Sequence, residues 1–100
     1  MAHLYVMSYA SNDQGPHKIG RSKDIKKRIR KLEESHIFRM RLDAVFPSKG
    51  HLEREIHLLL APFRVEGFNC REWYDAPLST ILHTIAKVID LYPNSLVDET

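Results

Sequence analysis

Eight of the chain's fifteen lysines and arginines fall within His17 to Lys31, where Asp24 is the only acid. That segment therefore carries +7, while the remaining 85 residues sum to −5. A local field of this size suits an anionic partner such as nucleic acid, although a solvated helix face is the plainer reading. Ile25, Ile29 and Leu32 recur at i, i+4 and i+7, the spacing of an apolar stripe on a helix. Lys26, Lys27, Arg30 and Lys31 lie well away from that stripe, but Arg28 falls about 40° from Leu32. Arg28 must therefore either cover apolar surface with its stem or point its guanidinium into a site. Glu53 and His57 stand one helical turn apart; read alone they make a surface pair worth a few tenths of a kcal/mol, and read together with a site they offer metal donors. Cys70 is the single cysteine and has no histidine at ligand spacing, so it is assigned no chemistry.

Positioning these groups requires a mixture of strands and helices. Leu4 to Met7 is a short apolar run that predicts a strand, and Ser11 to Pro16 is dense in turn formers, as in a hairpin loop. His17 to Gly20 is the returning strand, with Gly20 read as a turn glycine. Ser22 is the expected cap of a first helix over Lys23 to Ser35. Phe38 to Phe46 predicts a third strand. Lys49 to Ala61 predicts a second helix, with Ser48 as its cap, a core stripe of Leu52, Ile56, Leu59 and Phe63, and Pro62 at its end. Glu72-Trp73-Tyr74 reads as a further short extended piece, with Trp73 as core packing rather than a base-stacking surface. A third helix opens at Pro77 and Leu78, and a polar tail follows from Pro93 to Thr100. The order β-β-α-β-α-(β)-α predicts an α+β domain over residues 1–92: a small, mostly antiparallel three-stranded sheet flanked by about three helices.

The composition is that of an ordinary globular chain, 43% hydrophobic and 28% charged in 100 residues, which leaves room for one core. No wholly apolar run exceeds the four residues of Leu58 to Ala61, which excludes a membrane-spanning helix. One cysteine excludes an internal disulfide framework, and no signal-like segment is seen at the N-terminus, so an intracellular setting is expected.

Four motifs in order resemble the GIY-YIG nuclease superfamily, most closely its compact phage- and virus-associated branch. They are Tyr5-Val6-Met7, Lys18-Ile19-Gly20-Arg21-Ser22, Leu52-Glu53 with His57, and Glu72-Trp73-Tyr74, with Arg28 eight residues after the glycine. The likeness runs from residue 3 to about residue 88. It implies metal-assisted hydrolysis of a DNA phosphodiester: Tyr5 as general base or water-orienting group, Lys18 and Arg28 on the phosphate, and Glu53 holding a single Mg²⁺ or Mn²⁺. His57 and His17 are supporting candidates, and Arg21, Lys23, Lys27 and Lys31 are the expected DNA contacts. An unperturbed phenol has a pKa of about 10, so Tyr5 as base needs a nearby cation, for which Lys18 is the candidate.

The chain departs from the family pattern at His3, in place of the first motif's glycine, at Lys18, in place of the second motif's tyrosine, and at Leu32, where many members carry histidine. These departures motivate the alternative of a catalytically inactive nucleic-acid-binding module with the same fold. Either way the expected partner is DNA, with neither a membrane nor an organic cofactor. The oligomeric state stays open, a dimer being one way for a single-site nuclease to cut both strands.

Overall fold

The structure, a computed structural model, describes residues 1–9, 15–34, 39–67 and 72–92. The hairpin-loop residues 11–14, the expected strand start at Phe38, the connector around Cys70 and the tail 93–100 lie outside the described residues. The elements run β1 (His3–Tyr9), β2 (His17–Ser22), α1 (Ile25–Glu34), β3 (Met40–Phe46), α2 (Glu53–Leu60), β4 (Trp73–Tyr74) and α3 (Leu78–Leu91). The α+β class is as the sequence predicts, but the sheet has four strands in the order β3-β1-β2-β4, all neighbours antiparallel. The extra strand is the Trp73–Tyr74 piece, which pairs His17 with Tyr74 and Lys18 with Trp73.

Central β1 is covered on both faces, which is why Leu4 to Met7 is continuously apolar instead of alternating. Leu4 and Val6 pack with Ile19, with Leu52, Ile56 and Leu60 of the second-helix region, and with Ile81, Ile85 and Val88 of α3. Tyr5 and Met7 face the other way, with Met40 and Trp73, and α1 covers them through Ile25, Ile29 and Leu32. Cross-strand partners share a face, so Tyr5 with Gly20 and Met7 with Lys18 look toward α1.

Several local expectations change. Asp24, not Ser22, caps α1: its Oδ1 accepts the Lys27 N–H at 3.1 Å, while Ser22 Oγ accepts the Asp24 N–H at 3.1 Å. Ser48 makes no cap; it takes φ 60° and donates its N–H to His3 Nδ1 at 3.0 Å, so the departure at His3 has a structural use. The second helix is a 3₁₀ turn at Gly50–Leu52, α2 proper, and a second 3₁₀ turn at Ala61–Phe63. Its buried stripe is Leu52, Ile56 and Leu60; Leu59 and Phe63 are exposed, because the stripe is centred toward Leu60 and the tighter second turn carries Phe63 away. Among the described residues no helix is long and apolar enough to cross a membrane.

Candidate active site

Tyr5 is held across the backbone of β2. A Cβ added to Gly20 would meet the phenol oxygen at 2.5 Å and Cζ at 2.7 Å. Gly20 lies inside the strand, so its work is to leave room for the phenol, not to make the turn that the sequence suggested. The ring is 2% exposed and packs with Met7, Met40 and Trp73, which leaves its hydroxyl end to reach a hollow of about 290 Å³. That hollow is lined by Tyr5, Arg21, Arg28, Glu53 and Glu72.

Residues far apart in sequence therefore meet. Arg28, itself exposed, comes from the margin of the face by which α1 covers the sheet, Arg21 from the end of β2, Glu53 from the first residue of α2, and Glu72 from just before β4. Glu53 at an N-terminal turn also sits where the helix dipole favours negative charge. Arg21 Nε lies 3.9 Å from Glu53 Oε1. Lys18 does not line the hollow; its ammonium is paired with Glu72 Oε2.

The electrostatics of Tyr5 oppose the sequence expectation. Burial pushes its phenol up from 10.0 to about 12; Glu72 and Glu53 act in the same direction, and Arg28 opposes them. The cation that opposes them is Arg28 and not Lys18, whose ammonium is paired with Glu72.

A second hollow, of about 450 Å³, is lined by Glu53, His57, Arg64 and Glu72. Here one donor atom from each of Glu53, His57 and Glu72 lies within 4.8 Å of the other two. His57 Nδ1 is bonded to the hydroxyl of buried Tyr74, and the two rings stack at 5.4 Å. Burial pushes the Tyr74 phenol up, against the effect of Arg64. His57 Nε2 is itself buried without a hydrogen-bond partner and lies 3.8 Å from Glu53 Oε2. Two carboxylates and a nitrogen lone pair at this spacing fit a divalent cation chemically.

A third hollow, of about 250 Å³, runs along α1 and is lined by Ser22, Lys23, Asp24, Lys27, Arg28 and Lys31, so Arg28 borders two hollows at once. His17 reaches none of these hollows: it is 1% exposed, and its Nδ1 bonds the Ala76 carbonyl at 3.1 Å. Glu72, Arg64 and Tyr74 are the residues that sequence reasoning did not put in the site. An acid preceding the Trp73–Tyr74 pair was the only signal for Glu72, and it points nowhere until β4 is paired with β2.

A cationic helix beside a carboxylate-lined hollow is compatible with a nuclease-like or DNA-binding role. The chain belongs to the T5orf172 domain family, whose model matches residues 2–89. That domain is found in phage proteins and is associated with GIY-YIG-like and HNH-like nuclease folds. No curated protein and no solved structure matches the chain.

Proposed function

We propose that this domain is a GIY-YIG-type endonuclease that hydrolyses DNA phosphodiester bonds with one divalent cation, Mg²⁺ or Mn²⁺. The observation that carries the reading is the meeting of Tyr5, Arg28 and Glu53 around one hollow with Arg21 and Glu72. Hydrolysis needs a positioned water, cationic groups on the phosphate and stabilisation of the leaving 3′ oxygen. Arg28 and Arg21 are the phosphate clamps, since a guanidinium fork matches two phosphate oxygens. Lys18 moves from Glu72 to the phosphate when DNA enters. Lys23, Lys27 and Lys31, beside Arg28 along α1, carry the neighbouring backbone phosphates.

Glu53 would hold the cation, which would supply positive charge both to the phosphate and against the carboxylates that raise the Tyr5 pKa. The phenolate form of Tyr5 takes the proton of the attacking water as the water oxygen bonds to phosphorus, the P–O3′ bond breaks, and the 3′ oxygen is protonated from solvent. Because the Tyr5 pKa stands near 12 in the free protein, cleavage rises with pH through the neutral range, up to tenfold per unit. A flat pH profile between 6 and 9 would reduce Tyr5 to an orienting group.

The test is supercoiled plasmid incubated with protein and Mg²⁺ or Mn²⁺. Tyr5→Phe, Arg28→Ala and Glu53→Ala each abolish nicking while circular dichroism stays unchanged. A gel shift without nicking under every divalent cation would support the binding module instead.

A further inference from the structure

We propose that Glu53, His57 and Glu72 together form a three-donor site for a transition-series divalent cation, taking Mn²⁺ or Co²⁺ in preference to Mg²⁺. The proposal rests on the hydrolytic reading for its role in a reaction, but its binding chemistry can be measured without DNA.

The first support is spacing. Three atoms no more than 4.8 Å apart all fall within about 2.8 Å of a common centre. Donor distances of roughly 2.0–2.2 Å then require each side chain to move inward by no more than about 0.6–0.8 Å. Glu53 and His57 supply neighbouring donors from successive turns of α2, and Glu72 closes the third side from the segment leading into β4. The 450 Å³ hollow on which all three border leaves space for water or a phosphate oxygen to complete the shell.

The second support is the state of His57. Its ring is oriented from behind by Tyr74, whose hydroxyl occupies Nδ1. Its other nitrogen, Nε2, is buried and unpartnered, facing Glu53 across 3.8 Å. A protonated Nε2 there is a buried donor beyond hydrogen-bond reach, and a bare Nε2 leaves its lone pair buried 3.8 Å from a carboxylate oxygen. A cation between the three groups resolves both conflicts. With Nδ1–H donated to the Tyr74 oxygen, the ring also has the tautomer that a ligating Nε2 requires, fixed by a group behind it as in other metal sites.

Cation choice follows from the donor types. Mg²⁺ is held by oxygen donors and keeps most of its waters, whereas imidazole nitrogen favours first-row transition metals. Lys18, Arg21 and Arg64, the last lining the same hollow, are the positive charges that the cation must compete with. Lys18 holds Glu72 Oε2, and Arg21 lies 3.9 Å from Glu53 Oε1.

Calorimetric titration of the whole chain with Mn²⁺, Co²⁺ and Mg²⁺, in the absence of DNA, tests the site. One Mn²⁺ or Co²⁺ binds per chain, at least tenfold more tightly than Mg²⁺. His57→Gln weakens Mn²⁺ and Co²⁺ by about 10–100-fold and moves Mg²⁺ by less than about threefold. Glu72→Gln weakens all three cations. Lys18→Met moves affinity the other way and tightens them, a direction that misfolding cannot imitate. Equal Mn²⁺ affinity in wild type and His57→Gln overturns the proposal, as does the absence of any Mn²⁺ binding. Nicking that persists beside such a result leaves the nuclease reading standing with Glu53 alone, while a three-donor site in a protein that never nicks defeats the nuclease reading and keeps this one.

Discussion

Replacing Gly20 with alanine inserts one methyl group where the Tyr5 phenol already lies. The new Cβ would sit 2.5 Å from Oη, 2.7 Å from Cζ and 3.1 Å from Cε2, so reaching ordinary contact at 3.4 Å requires the oxygen to move by about 0.9 Å. Tyr5 cannot retreat inward, because it is 2% exposed and packed with Met7, Met40 and Trp73. The ring must swing into the hollow, or β1 and β2 must part. Overpacking of this kind costs about 1–3 kcal/mol. In a Tyr5→Leu background the atoms that clash are gone, and Gly20→Ala becomes neutral or stabilising by about 0.5–1 kcal/mol, since glycine inside a strand is entropically costly. Urea unfolding followed by circular dichroism across the four proteins of this cycle gives a coupling energy of about 1–3 kcal/mol. A displacement near 1 Å also lowers nicking by roughly a hundredfold. Equal destabilisation by Gly20→Ala in both backgrounds would refute the role assigned to the glycine.

Tyr5→Phe separates stability from alkaline pH. The folded phenol, near 12 against 10.0 unfolded, contributes stability that is complete below pH 10 and disappears as pH rises to 12. Wild type therefore loses about 2 kcal/mol more than Tyr5→Phe between pH 10 and pH 12, read from paired urea titrations. Lys27→Glu and Lys31→Glu each weaken DNA binding and reduce the slope of log affinity against log salt by about 1, measured by fluorescence anisotropy at several salt concentrations. Ile56→Ala empties part of the main core, where Ile56 is wholly buried, and costs about 2–5 kcal/mol in denaturant unfolding.

What could be read from sequence follows the range of each interaction. The α1 stripe of Ile25, Ile29 and Leu32 is local and periodic, so it survives in the structure, and with it the position of Arg28 at the margin of the covered face. The approach of Tyr5 to Glu53 was legible only through ordered motifs, because nothing in the spacing of β1 and α2 states which end of the sheet they share. Gly20 was misread because a turn glycine and a glycine under an aromatic ring look alike in sequence; only the register pairing it with Tyr5 distinguishes them. Lys18 was expected to act on Tyr5, but it shares a face with Trp73 through β4, which brings Glu72 to its ammonium first. A two-residue strand has no periodicity to detect, so Glu72-Trp73-Tyr74 could be read as an extended piece but not placed as the sheet's fourth strand, and the positions of Glu72 and Tyr74 beside the site stayed hidden. Leu59 and Leu60 are one residue apart, and helical spacing alone did not decide which of them the core would take.

Nicking of supercoiled DNA by the purified protein, compared with Glu53→Ala under matched Mg²⁺ and Mn²⁺, bears most directly on whether the hollow shared by Tyr5, Arg28 and Glu53 cuts phosphodiesters. Metal-dependent conversion to the open circle by wild type alone is the expected outcome. Equal cutting by both proteins, or DNA that is bound and left intact by wild type at every cation tried, would contradict it.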